Sequence, residues 1–354
     1  MSKLHTSSPG QENVPTGSDQ NSSDRCNRRS FLTGGMSCSA YLFFALAGTS
    51  LSTRRAFAAQ TSGEKIAEEP FARVEKISEG VWAVISTPFS GEDTTTFCNG
   101  GIIQGKDAVL ALEGYMTPEG AAWQSKLAEE LTGRRPTHVA LTHHHFDHSS
   151  GLSGYMLEGK APKIISTGIT RNQIVESNSA TPEAADESNG TLADVGLHTL
   201  LPDTVIVDTS RPTQLDLGGR VVNLVPRMGH TQSDLTVELE DPAITFCADF
   251  WFNGLFPYYG DSTPTALRKN FQELVDQGSI LVPGHGGIGD KQDIKNYLTL
   301  LDDVEAAARK AIEKGTPASE AWKEYNVPES LGEWTKFRPD VYSFGFEAWE
   351  RELK

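Results

Sequence analysis

Residues 143–148 read HHHFDH and hold four of the chain's nine histidines together with one aspartate. They follow directly on an apolar run, THVALT at 137–142, which reads as a strand. A metalloprotease helix would also place histidines four apart, as His144 and His148 are, but it needs Glu directly after the first histidine, and His145 stands there. In extended backbone His143, His145 and Asp147 share one face. His148 joins them only if the chain curls, which Ser149-Ser150-Gly151 permits by a turn or a helix start. One strand end thus offers His143 and His145 to one metal and Asp147 and His148 to a second. These residues are too few for two sites, because a zinc ion takes about four ligands, with one position kept for water in a catalytic site. The fold must therefore bring other strand ends to the same edge. The chain offers His230 in RMGHTQSD, Asp249 in ITFCADFW and His285 in LVPGHGG, each at or just beyond an apolar run. Gly229 and Gly284 precede the two histidines, and glycine lets the backbone turn sharply there.

The rest of the chain supplies the elements this arrangement needs. Strands are expected at 81–87, 100–105, 108–114 and 163–167, and in a β-rich second half running from TVIVD through TQLDLG, RVVNLVP, LTVELE and AITFCADFW to SILVPG. Helices are expected at 118–132, which opens on Pro-Glu and closes at Gly133, at 265–277, and over 290–315. The last carries Ile294, Tyr297, Leu298, Leu301, Val304 and Ala308 on one stripe. Residues 168–200 are polar without a strong period and read as an irregular insert with helical pieces.

The ordered set H-x-H-x-D-H at 143–148, Gly229-His230, Asp249 and P-G-H-G at 283–286 resembles the metallo-β-lactamase superfamily over about residues 71–288. The resemblance implies an α/β fold, a four-layer αββα sandwich with the site along one edge between two sheets. It implies that His143, His145 and His230 bind a first metal, that Asp147, His148 and His285 bind a second, and that Asp249 bridges them. Two positions depart from common members. Glu113 stands where many carry Asp, and Asp249 replaces the Cys of some β-lactamases, as in glyoxalase II, lactonase and ribonuclease members. Cys247 would share a face with Asp249 if the strand continued, which makes it a minor candidate for metal contact.

Three parts are expected: a leader and signal over 1–58, the metal-binding domain over 59–289, and a helical extension over 290–354 packed on it. The leader is polar, then places Arg28-Arg29 before Phe31-Leu32, a modest apolar run at 37–48 and an Ala-Phe-Ala site ending at Ala58. The R-R-x-F-L pattern resembles a bacterial twin-arginine signal. It implies the twin-arginine translocation machinery as a partner and a periplasmic or otherwise extracytoplasmic location. The apolar run falls short of the roughly 20 residues that span a bilayer, so no stable anchor is expected after cleavage. The first 58 residues carry six Lys/Arg and three Asp/Glu, which leaves −19 of the net −16 on the remainder. An acidic body argues against nucleic acid as a partner. Cys98 and Cys247 remain after cleavage and are expected as buried free thiols rather than a pair.

Two zinc ions per chain are the expected cofactor, with iron or manganese as alternatives because imidazole suits several metals. They would share a water whose pKa falls from about 15.7 to about 7, so that metal-bound hydroxide is the nucleophile. Asp147 is the expected catalytic residue, orienting the nucleophile and passing a proton to the leaving group. Export and the missing basic patch favour a small-molecule amide, lactone or ester, a β-lactamase-like hydrolase. Aromatic residues follow Asp249 in WFNGLFPYY, where Asn253 or Tyr258 would donate to a substrate oxygen. Two other readings are a mononuclear iron enzyme like the persulfide dioxygenases of the superfamily, and a non-catalytic metal-binding accessory of an exported redox system.

Overall fold

The computed structural model describes residues 63–87, 93–179, 200–206 and 208–354. The leader expected over 1–58 lies outside them, as do residues 180–199 of the polar insert. Eight strands form one sheet in sequence order: β1 (Glu64–Glu69), β2 (Ala72–Ser78), β3 (Val81–Ser86), β4 (Gly100–Gln104), β5 (Val109–Leu112), β6 (His138–Ala140), β7 (Lys163–Thr167) and β8 (Thr204–Ile206). The pairs are antiparallel up to β5 and parallel beyond it. Five strands form the second: β9 (Thr213–Asp216), β10 (Val221–Arg227), β11 (Asp234–Glu240), β12 (Ala243–Phe246) and β13 (Ile280–Val282), with only β12 and β13 parallel. A parallel pair needs a long crossover. Helix α1 (Pro118–Thr132) supplies it between β5 and β6, and a helix over Pro264–Asp276 supplies it between β12 and β13.

Period-two alternation builds the layers. Val81, Ala83 and Ile85 of β3 enter a core shared with Leu224, Val237 and Ile244 of the second sheet. Trp82 and Val84 of the same strand face the other way, into a core with Ala121, Leu127 and Ala128 of α1. A third core joins Leu281 and the 247–256 segment to the C-terminal helices through Tyr297, Leu301, Val304, Phe346 and Trp349. The order is helix, sheet, sheet, helix: the αββα sandwich, with C-terminal helices. The first helix closes as expected. Thr117 caps Gly120 N–H, and Gly133 adopts φ 72° while its N–H bonds Glu129 O. Among the described residues no helix is long and apolar enough to cross a membrane.

Chain order of the other helices is α2 (Phe146–Ser149), α3 (Gly168–Ser179), α4 (Pro264–Asp276), α5 (Lys291–Glu313), α6 (Ala318–Ala321) and α7 (Val341–Leu353). Two features differ from expectation and one sharpens it. Strands β1 and β2 precede the first expected strand, because their charged residues, such as Glu75 buried beside Arg73 at 2.7 Å, mask the alternation. The start of the polar insert is a regular 12-residue helix, α3. Strand β12 stops at Phe246, and residues 248–250 turn as a 3₁₀ helix with Ala248 at φ +49°. That turn overturns the reasoning for Cys247. It does not share a strand face with Asp249; it is buried in the third core, with its thiol 3.6 Å from Thr245 O.

Candidate metal centre

The seven expected ligands converge at one edge of the sandwich. His143 follows β6, His230 lies in the β10–β11 turn, Asp249 follows β12, and His285 follows β13. Helix α2, with His145 at its N-cap, curls the chain directly after His145, so Asp147 and His148 turn into the site. Ligand atoms of His143, His145, His230 and Asp249 form one group, and those of Asp147, His148 and His285 another, each within 4.8 Å.

His143 Nε2 and His230 Nε2 each lie 3.0 Å from His145 Nδ1. Asp249 joins the groups. Its Oδ2 is 3.2 Å from His230 Nε2 and 3.4 Å from His285 Nε2, and its Oδ1 is 3.3 Å from His148 Nε2. Asp147 Oδ2 is 3.3 Å from His285 Nε2 and 3.6 Å from His148 Nε2. Ligand atoms arranged tetrahedrally about zinc stand about 3.3–3.5 Å apart, so both groups have the spacing of a coordination shell.

The surrounding hydrogen bonds decide which nitrogens carry protons. Thr142 Oγ1 donates to Glu113 Oε1 at 2.7 Å, so its oxygen accepts from His143 Nδ1 at 3.0 Å. His145 Nε2 donates to Asp261 Oδ2 at 2.9 Å. The facing atoms, His143 Nε2 and His145 Nδ1, are then both bare lone pairs at 3.0 Å. Two acceptors at that distance repel unless a cation or a proton sits between them. His148 Nδ1 lies 3.3 Å from Glu113 Oε1, and its Nε2 faces Asp249 Oδ1 at 3.3 Å on the site side. The donor set therefore fits divalent cations, with imidazole and carboxylate as ligands.

Charge balance agrees. Burial opposes charge on His145, His148 and His285, yet their neighbours outweigh it, carboxylates at His145 and His285 and Cys98 with Asp249, Asp147 and Glu113 at His148: all three pKa values are raised, that of His285 to about 9. Burial dominates at His143 and His230, whose values fall, the second to about 3. Asp249 resists its own burial because His285, His148 and His230 surround it, which holds its carboxyl well below the usual range. Asp147 is likewise lowered, by His148 and His285 against burial.

Residues outside the expected set hold the ligands. Glu113, 2% exposed and at φ 72°, serves His143 through Thr142 and His148 directly. We expect Glu113→Ala to weaken zinc binding at both half-sites by about 10- to 100-fold. Chelator competition on the purified chain checks this, and loss at one half-site alone would contradict the shared role. Asp234 accepts from Thr231 Oγ1 at 2.7 Å and from His230 N–H at 3.2 Å, which shapes the His230 turn, while burial pushes its carboxyl up to about 7. The Cys98 thiol donates to Asp147 O at 3.0 Å, and burial pushes its pKa up to about 12. Cys98 and Cys247 are both free and buried.

The expected substrate donors part ways. Asn253 is buried; its Nδ2 donates to Gly287 O at 2.7 Å and its N–H to His285 O at 2.9 Å, so it fastens the His285 loop. Tyr258 sets its ring 5.4 Å from that of His145, at the edge of the centre, and burial keeps its phenol protonated. His144 Nε2 lies 3.6 Å from Asp261 Oδ2. Asp261 itself escaped the sequence reading, since a lone acidic residue after YYG carries no pattern.

A family model described as the metallo-beta-lactamase superfamily matches residues 107–285, about half of the chain. The acyl-coenzyme A thioesterase MBLAC2 of Homo sapiens is 23% identical over 171 residues, 46% of this chain and 60% of the relative. Among solved structures, the stereoselective inverting sec-alkylsulfatase Pisa1 from Pseudomonas sp. superposes with TM-score 0.60 at 14% identity, over 79% of this chain and 50% of its own. A metallo-beta-lactamase from Pontibacter korlensis gives TM-score 0.50 at 19% identity, over 66% of this chain and 99% of its own. The chain thus spans about half the length of the sulfatase and 60% of the thioesterase. With the sandwich, the strand-end ligands and the matching family model in agreement, this chain belongs to the metallo-beta-lactamase superfamily.

Proposed function

We propose that the protein is an exported dinuclear zinc hydrolase of a small amide, lactone or ester. The observation that carries this reading is the position of Asp249, one carboxylate within 3.4 Å of His230, His285 and His148 and so shared by two half-sites. Bound there, two divalent cations would supply a nucleophile at neutral pH and polarise the oxygen of the scissile group. Asp147, ionised at neutral pH and 13% exposed at its side chain, would take a proton from the nucleophile and return it to the leaving group. Tyr258 stays protonated and can donate to a substrate oxygen. Phe252 stacks on His285 at 5.0 Å and Phe97 meets its edge at 6.3 Å, which keeps water from that side. A mononuclear iron enzyme would leave Asp147, His148 and His285 without a task. Export rests on the Arg28-Arg29 signal pattern and on Ala58 as the cleavage position.

Metal analysis of the folded chain tests the reading first, with about two zinc ions per chain expected. One iron per chain with oxygen uptake on a persulfide would overturn it. A panel of nitrocefin, lactones, esters, thioesters and phosphodiesters then tests the bond cut; inactivity of the metal-loaded protein on all of them counts against a hydrolase. Asp147→Asn should lower turnover by about 10²–10⁴-fold while first-site zinc occupancy changes little. Equal loss of both would remove the assigned role.

A further inference from the structure

His145 is the ligand histidine that presents Nδ1 to the centre; His143, His148, His230 and His285 all present Nε2. Its orientation therefore depends on what holds its outer nitrogen, and that group is Asp261 Oδ2 at 2.9 Å. The Asp261 side chain is 46% exposed. An exposed aspartate on a free loop would lose much of its hold to solvent and to side-chain motion. Here the backbone on both sides of it is tied down. Arg351 of α7 donates from one nitrogen, Nη2, to Gly260 O at 3.2 Å and to Ser262 O at 3.1 Å. Thr263 N–H bonds Gly229 O at 2.9 Å, so the same turn also touches the His230 loop. One residue further along α7, Glu352 accepts from Thr265 N–H at 3.2 Å, at the start of α4. Tyr258, three residues before Asp261, packs on Phe337 at 5.8 Å and on Phe344 at 4.9 Å, both from the C-terminal segment.

We propose that Asp261 is a positioning residue for the first half-site, and that Arg351 of the last helix sets the strength of that half-site through it. The inference rests on the metal centre of the preceding section. A carboxylate on Nε2–H fixes the ring's tautomer, aims the Nδ1 lone pair inward and raises its basicity. Arg351 touches no ligand. It clamps the two carbonyls flanking Asp261 and so keeps the carboxylate in register with the imidazole, a preorganisation supplied from some 90 residues along the chain. The C-terminal segment is thereby part of the metal-binding apparatus as well as a packing layer.

The test is zinc competition against a chromogenic chelator on the full chain. Asp261→Ala should weaken the first half-site by about 10- to 100-fold and leave the second within about twofold. Asp261→Asn, which still offers an oxygen to His145, should lose less. Arg351→Gln should lose less again, and combined with Asp261→Ala it should add nothing, because both act on one contact. If Arg351→Gln fails to fold, Arg351→Lys serves, since its shorter side chain holds the donor nitrogen back from both carbonyls. Cobalt(II) in place of zinc gives a second readout: its ligand-field absorption should change in Asp261→Ala, an effect that a purely structural role would not produce. First-site affinity unchanged in Asp261→Ala overturns the proposal for Asp261. A full additive loss in the double variant overturns the proposal for Arg351. Should the unaltered chain bind neither zinc nor cobalt, the metal centre itself is refuted; normal binding with an indifferent Asp261→Ala refutes only this inference.

Discussion

Asp249→Ala is expected to empty both half-sites together. The Asp249 carboxylate reaches His230 and His285 with one oxygen and His148 with the other, at 3.2–3.4 Å, and lies 3.8 Å from His143. No other side chain among the described residues touches both groups in this way, and Asp249 is only 3% exposed, so water cannot readily take its place. In the proposed dinuclear site, removing it would take a ligand from each metal and the negative charge that would let two dications lie close together. The loss should therefore exceed the roughly 10- to 100-fold typical of an outer partner, with hydrolysis falling in step. Metal analysis after dialysis, with titration by zinc, checks it; retention of two tightly bound ions would sink the bridging assignment. The metal-free protein should also register the change. Burial opposes the charge, but His285, His148 and His230 hold the carboxyl below its ordinary value. A depressed carboxyl contributes stability above its unfolded pKa of about 3.9, and that stability is lost as pH falls through the folded value. The difference in chemical stability between the metal-free parent and Asp249→Ala should thus be full at neutral pH and shrink below about pH 4.

The second large effect is expected from a single methyl group. Gly284→Ala would place a Cβ on Asp249 Oδ1 and 2.6 Å from the carbonyl carbon of Ala248. The neighbours cannot give way cheaply. Gly284 N–H bonds Ala248 O at 2.8 Å and Trp251 O at 3.1 Å, and the next residue is His285. Either the bridging carboxylate or the end of β13 must shift, and each carries a ligand. Overpacking of this kind costs about 1–3 kcal/mol, seen as a lower denaturant midpoint. Metal affinity should fall further than stability accounts for, because sub-ångström positions decide coordination. Parental zinc affinity in the variant would show that the edge is looser than its contacts imply. The glycine is thus required by a close approach. At Gly229 the requirement is different, a backbone at φ +155° that side chains rarely adopt.

The candidate ligand set was legible because metal chemistry restricts residue types severely and strand ends are marked by apolar runs. HHHFDH, GH, AD and PGHG stand out against any background of ordinary turns. Strands β1 and β2 were not legible, since β1 is exposed and charged and β2 buries Arg73 and Glu75, paired with each other, among its apolar residues. The strand drawn through Asp249 was too long, because the sequence AITFCADFW holds no Gly or Pro to announce the 3₁₀ helix after Phe246. Glu113 stood out only as a departure; its service to two histidines is a matter of distance.

By itself the sequence determined which residues are candidate ligands, their order, and the sandwich that gathers them, because alternation and donor chemistry are local properties. Only the tertiary structure decided how those ligands are held. Glu113, Thr142, Asp261 and Arg351 act across separations of up to 116 residues, and contacts over such distances leave no trace in spacing. They arise when cores form, and the direction of each lone pair in the centre follows from them.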